Sequence, residues 1–195
     1  MLYIQHRVNT IPELELIAHD YGVEIDIRAC QDHLVLHHDA FVEGTNFEVF
    51  LQKYSHSFLI LNVKAEGLEE RILYLLEKYN ISQYLFLDMS LPFLIRYAKK
   101  GIKQIAVRYS EYEPVEAVMK FKHLVDWVWV DGFNDFSLTF QDYTILKPYF
   151  KLCLVSPELQ GKSIHDIPTY YQKMEHMIFD AICTKYPEEW KKYVG

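Results

Sequence analysis

Residues 23–27 read Val23-Glu24-Ile25-Asp26-Ile27. Side chains along a β-strand alternate between its two faces. Glu24 and Asp26 therefore share one face, and Val23, Ile25 and Ile27 share the other. Two carboxylates facing an interior are costly unless a charge compensates them. A hard divalent cation is one compensation, because Mg²⁺ and Ca²⁺ select oxygen ligands. Salt bridges to Arg or Lys within the interior are the other.

Moving outward from this strand, short apolar runs recur along the chain: Leu2–His6, Val23–Arg28, Phe58–Lys64, Tyr84–Asp88, Gln104–Arg108, Trp127–Asp131, Phe150–Val155 and Met177–Thr184. Such continuous runs are typical of strands buried on both faces, as in parallel sheets. Amphipathic stretches lie between them. Ile11–Tyr21 begins with Thr10 and Pro12, a cap and an early-helix residue. Leu68–Lys78 sets Leu68, Ile72, Leu75 and Leu76 on one face. Leu91–Lys99, Pro114–Phe121, Thr139–Tyr149, Ile164–Met174 and Pro187–Tyr193 follow the same pattern, and Gly101 is placed to end the Leu91–Lys99 helix. A further extended segment, Leu34–His38, precedes a short helix at Phe47–Tyr54. The β-α repeat predicts an α/β fold, a compact (β/α)8 TIM barrel with short loops forming one domain over residues 1–195. An open doubly wound sheet is the alternative.

Half of the residues are apolar and 15% are aromatic, enough for a large core. The formal net charge of −7 argues against a nucleic-acid partner. No run approaches the ~20 apolar residues of a membrane span, so stable membrane insertion is not expected. Met1–Arg7 lacks the pattern of a secretory signal, and the expected location is cytoplasmic. Cys30, Cys153 and Cys183 read as buried thiols in a reducing compartment. A monomer or homodimer acting on a small molecule fits this composition.

Three further features carry chemistry. His6-Arg7 ends the first strand, and the C-terminal strand ends of such barrels line the active site. His37-His38-Asp39 closes the extended segment, with Asp39 able to orient His38. Lys64, after Asn62, could contact a phosphate oxygen or form a salt bridge to Glu24 or Asp26. Asp88, Arg108, Asp131, Ser156 and Glu158 also lie at strand ends. Trp129 reads either as core or as an apolar wall.

Taken in order, His6-Arg7, Glu24-Ile25-Asp26 and His38-Asp39 resemble the N-terminal signature of the glycerophosphodiester phosphodiesterase family, of the phospholipase-C-like barrel group. Asn62-Val63-Lys64 is similar to that family's Glu-x-Lys strand. Asp180-Ala181-Ile182-Cys183-Thr184-Lys185-Tyr186-Pro187 is similar to its closing segment. The chain departs from the pattern at Val8, where the family has glycine, at Asn62, where it has an acid, and at Lys185. The resemblance implies hydrolysis of a small glycerol- or sugar-linked phosphodiester. It implies a divalent cation, Mg²⁺ or Ca²⁺, on Glu24, Asp26 and Asn62, with His6 and His38 as the acid–base pair. It also implies phosphate contacts from Arg7 and Lys64. Imidazole suits acid–base roles because its pKa lies near neutral pH. The amide at position 62 and the absent glycine leave open a barrel that binds a phosphorylated or glycosyl ligand without turnover.

Overall fold

The computed structural model describes residues 1–194, and its chain divides into two compact units. One runs from Gln5 to Ile102. The other joins Met1–Ile4 to the chain from Lys103 onward.

The Gln5–Ile102 unit holds β2 (Gly22–Cys30), β3 (His33–Leu36), β4 (Thr45–Asn46), β5 (Phe58–Val63) and β6 (Tyr84–Leu87), in the order β4-β3-β2-β5-β6. β2, β5 and β6 are parallel, with Asp26 opposite Asn62 and Asn62 opposite Leu87. β3 folds back antiparallel on β2, pairing Ile27 with Leu36. The expected extended segment is thus the second arm of a hairpin. Its turn is set by Gln31, whose φ is +54°.

The helices of this unit are α1 (Ile11–Glu15), α2 (Phe47–Leu51), α3 (Glu69–Lys78) and α4 (Leu91–Lys99). Thr10 caps α1 through a capping box with Glu13. α1 stops at Glu15 rather than reaching Tyr21. The last turn tightens, with the Leu16 and Ile17 amides donating to the Glu13 and Leu14 carbonyls, and the Ile17 carbonyl accepts from His56 Nε2 at 3.0 Å. α3 buries Ile72, Leu75 and Leu76 as its spacing predicts, and buries Glu69 beside them. Gly101 adopts φ +92° just past α4, the left-handed conformation that ends a helix most cheaply with glycine.

The second unit holds β1 (Leu2–Gln5, whose last residue belongs to the first unit), β7 (Ala106–Tyr109), β8 (Trp127–Val130), β9 (Lys151–Val155) and β10 (Ala181–Thr184). Their order is β1-β10-β9-β8-β7. The β7–β8, β8–β9 and β9–β10 pairs are parallel. In each unit, successive parallel strands are sheet neighbours with no reversal of order. That is single winding, not the reversal of a doubly wound sheet.

β10 begins at Ala181 rather than Met177. His176 takes φ +67° just before, and the backbone first meets its neighbours at Asp180, whose amide donates to the Leu152 carbonyl at 2.9 Å while its carboxylate binds Lys147 Nζ at 2.6 Å and the Leu152 amide at 2.8 Å. α5 (Val115–Met119), α6 (Phe140–Leu146), α7 (Ile167–Lys173) and α8 (Pro187–Val194) complete the unit.

The sheets bury Ile25, Ile27, Leu59, Ile60, Leu61, Val128 and Ile182, none more than 1% exposed. Trp129 is buried in β8. Cys153 and Cys183 are buried outside any disulfide, as expected, whereas Cys30, at the end of β2, is half-buried. Among the described residues no helix is long and apolar enough to cross a membrane.

Trp190 anchors α8. It is fully buried, and its Nε1 donates to Ser156 Oγ at 2.8 Å. The Ser156 hydroxyl donates to Glu158, which also accepts from Thr184 Oγ1 at 2.6 Å and from the Lys185 amide at 2.9 Å. Trp190→Ala should cost about 3–5 kcal/mol, measured by urea unfolding. A loss below about 1 kcal/mol would show that α8 is not docked through this residue.

Candidate active site

The site lies within the Gln5–Ile102 unit and is built around Glu24 and Asp26, each 1% exposed. Both project from β2 on the face set by the strand alternation. β1 delivers His6 and Arg7. Arg7 has φ +57°, a left-handed conformation. That turn aims the Arg7 amide at Glu24 Oε2 at 2.7 Å, and the Val8 amide at the Glu24 carbonyl at 2.8 Å. The left-handed residue is Arg7 rather than position 8, so Val8 needs no glycine freedom and is buried instead.

Each carboxylate oxygen has a protein neighbour. Glu24 Oε2 also lies 3.7 Å from His6 Nε2, and Oε1 accepts from Asn62 Nδ2 at 2.9 Å. Asp26 Oδ2 accepts from Asn9 Nδ2 at 2.8 Å and lies 3.7 Å from Arg7 Nε. Asp26 Oδ1 lies 3.2 Å from Lys64 Nζ. Lys64 also stands 3.9 Å from Asp88, whose φ is +58°. Of the two roles open to Lys64, the salt bridge to Asp26 is present. Two cations thus accompany two carboxylates.

Burial, reinforced by the neighbouring Asp26 charge, pushes the Glu24 carboxyl up from its ordinary value of 4.5 to about 7. The Asn62 and Arg7 hydrogen bonds and the Lys64 charge act in the opposite direction.

Six of the expected residues are brought together: His6, Arg7, Glu24, Asp26, Asn62 and Lys64. His38 joins them through its backbone. Its ring binds Asp39 Oδ1 at 2.7 Å and its side chain is 43% exposed. This hydrogen bond holds the Asp39 carboxyl below its usual range. The His38 carbonyl is gripped by Arg28, from Nε at 2.9 Å and Nη2 at 2.8 Å, while Arg28 Nη1 donates to the Lys64 carbonyl at 3.3 Å.

Arg28 and Asn9 are site residues that the sequence reading did not single out. Arg28 stands two residues after Asp26 and so shares its face, a signal available in the period-two pattern. Asn9 clamps Asp26 twice, since its Oδ1 also accepts from the Asp26 amide at 2.8 Å. Next to the cap Thr10, it reads in sequence only as a turn residue.

The strand-end residues of the second unit are engaged with one another. Arg108 pairs with Asp131, which also accepts from Gln160 Nε2 at 2.5 Å, and Ser156 and Glu158 belong to the Trp190 network.

The donor set suits an oxygen-selecting cation in one specific respect. Asn62 Oδ1 is buried and has no hydrogen-bond partner, while its Nδ2 is spent on Glu24. A buried amide oxygen of this kind costs free energy until something accepts its lone pairs. Among the described residues no group of three or more His, Cys, Asp or Glu side chains is placed to hold a metal, so Asn62 would have to supply the third ligand.

The raised Glu24 pKa gives a signed pH dependence. Between about 4.5 and 7 the folded protein holds a proton on Glu24 that the unfolded chain has released. The stability contributed by that proton is therefore lost as pH rises through this window. In chelator-treated protein, the melting temperature of wild type should fall across this range relative to Glu24→Gln, in which the slope flattens. Parallel melting curves for the two proteins would show that Glu24 titrates normally.

No family model matches the sequence, and no curated protein matches it. Solved structures do share its fold. A provisionally assigned glycerophosphoryl diester phosphodiesterase of Agrobacterium tumefaciens C58 superposes with a TM-score of 0.73 at 13% identity, over 98% of this chain and 96% of that one. A glycerophosphodiester phosphodiesterase from the same organism gives a TM-score of 0.72 at 9% identity, over 97% and 99%. A glycerophosphoryl diester phosphodiesterase of Parabacteroides distasonis gives 0.67 at 14%, over 99% and 85%. Along nearly its whole length, this chain has the fold of the glycerophosphoryl diester phosphodiesterases.

Proposed function

We propose that the protein is a metal-dependent phosphodiester hydrolase acting on a small glycerol- or sugar-linked diester. The closed (β/α)8 barrel expected from the sequence is part of this reading. The observation that carries it is the convergence of His6 and Arg7 after β1, Glu24 and Asp26 from the middle of β2, and Asn62 and Lys64 from the end of β5.

Each residue has a chemical task. Glu24, Asp26 and the unpartnered Oδ1 of Asn62 would hold Mg²⁺ or Ca²⁺. When bound, the cation supplies positive charge at the phosphoryl oxygens. Arg7 and Lys64 hold the substrate phosphate and offset charge on its non-bridging oxygens. His6, fixed against Glu24, and His38, oriented by Asp39, move protons to and from the alcohol oxygens. Arg28 sets the His38 and Lys64 backbones relative to each other and so positions both.

His6→Ala and His38→Ala should each lower diester cleavage by ~10²–10⁴-fold with unchanged circular dichroism. Wild-type turnover in both variants would remove the histidines from the mechanism. Chelation should abolish activity and Mg²⁺ or Ca²⁺ should restore it. Asn62→Asp adds a charged ligand and should tighten cation binding in calorimetry; unchanged affinity would exclude position 62 from the ligand set.

A second reading is a binding protein without turnover. It is favoured by the balance of two cations against two carboxylates, with an amide as the third candidate ligand. Absence of bis-p-nitrophenyl phosphate hydrolysis, together with cation binding weaker than about millimolar, near −4 kcal/mol, would decide for it.

A further inference from the structure

Past the end of β1 the chain continues along the edge of β2, where the Val8 amide donates to the Glu24 carbonyl at 2.8 Å. Backbone groups alternate between the two edges of a strand, so the next amide on this edge is that of Asp26. A side chain answers it in place of a carbonyl: Asn9 Oδ1 accepts from the Asp26 amide at 2.8 Å. Asn9 Nδ2 then donates to Asp26 Oδ2, also at 2.8 Å. One planar amide therefore spans the backbone and the carboxylate of a single residue.

Chemistry fixes which way that amide faces. A backbone N–H must meet its oxygen, and a carboxylate must meet its nitrogen. Aspartate at this position would set an oxygen against Asp26 Oδ2, and leucine would offer neither group. Asn9 is 9% exposed and Asp26 1%, so bulk water competes little for either bond.

Asn9 is itself held from behind. Its backbone amide donates to Glu13 Oε2 at 3.1 Å, and the same oxygen accepts from the Thr10 amide at 2.9 Å and from Thr10 Oγ1 at 2.8 Å. The capping box of α1 thus fixes the backbone that carries Asn9. The box is complete without the Asn9 side chain, whose two hydrogen bonds both go to Asp26.

We propose that Asn9 is a positioning residue, which holds Asp26 in the orientation from which its carboxylate serves as a cation ligand. The proposal rests on the phosphodiesterase reading above, in which Asp26 is one of three ligands. Oδ2 is tied to the Asn9 side, with Arg7 Nε also 3.7 Å away, and Oδ1 is turned towards Lys64 Nζ at 3.2 Å. The carboxylate is therefore oriented before any ligand arrives, so its ordering adds no cost to binding. Partners that orient a metal ligand in this way typically carry ~10–100-fold in affinity or activity.

The test is calorimetric titration with Mg²⁺ and with Ca²⁺, without substrate, alongside urea unfolding of each protein. Wild type should bind at least one of the two cations. Asn9→Ala should weaken that binding by at least ~10-fold. Asn9→Gln keeps donor and acceptor but carries them one methylene further out. It should stay folded and still lose affinity, which covers the case in which Asn9→Ala does not fold. Thr10→Ala breaks the capping box without touching Asp26. It should lower stability and leave cation affinity within roughly 2-fold of wild type.

A merely structural Asn9 would behave like Thr10, losing stability and keeping affinity. Unchanged affinity in Asn9→Gln and in folded Asn9→Ala overturns the proposal and leaves the hydrolase reading standing. Absence of cation binding by wild type overturns both. If the affinity loss is found but wild type does not hydrolyse bis-p-nitrophenyl phosphate, the hydrolase reading fails and the role of Asn9 stands.

Discussion

The burial of Glu24 and Asp26 on one face of β2 is the constraint around which the Gln5–Ile102 unit is arranged. Two adjacent carboxylates withdrawn from water would be prohibitive without compensation. The chain answers with groups from two segments. The turn after β1 supplies the Arg7 amide and guanidinium and the Asn9 amide, and β5 with the residue after it supplies Asn62 and Lys64. A left-handed residue at Arg7 makes the first of these contacts possible. Such conformations cost free energy and persist where surrounding contacts hold them. Here the Arg7 and Val8 amides, both bonded to Glu24, do so.

This compensation is incomplete in an informative way. Glu24 remains held well above the usual carboxylate range, and Asn62 Oδ1 remains unpartnered. A divalent cation would act on both at once, since its charge would displace the Glu24 proton and its coordination would use the amide oxygen. The polar residues of the second unit behave differently. Arg108, Asp131 and Gln160 satisfy one another, as do Ser156, Glu158, Thr184 and Trp190. Those groups hold strand ends and a helix in place. Within the Gln5–Ile102 unit, by contrast, buried side-chain atoms lack a hydrogen-bond partner at Asn62 in the site and also at Tyr54, His56, Glu69 and Ser90.

The fold shared with glycerophosphoryl diester phosphodiesterases fits the chemistry read from these residues, although identity to the solved proteins is only 9–14%. The departures from the family pattern do not weigh equally. Val8 is without structural consequence, because the residue that needs left-handed freedom precedes it. Asn62 is consequential, because it replaces a charge at a position directly opposite Asp26 in the sheet.

Much of this was legible in the sequence because it depends on local periodicity. Alternation along Val23–Ile27 fixed which face carries the carboxylates, apolar runs marked the strands, and Thr10 and Gly101 marked helix ends. Those signals are short-range, set by the backbone geometry of a strand or a helical turn. What the tertiary structure alone decided was partnership. The pairing of Lys64 with Asp26, the double clamp of Asn9, the grip of Arg28 on the His38 and Lys64 carbonyls, and the burial of Glu69 join residues far apart in the chain. Sequence spacing states which face a side chain leaves from. Which group it meets depends on sheet register and on how loops close over strand ends, and those are settled only when the strands pair and the core packs.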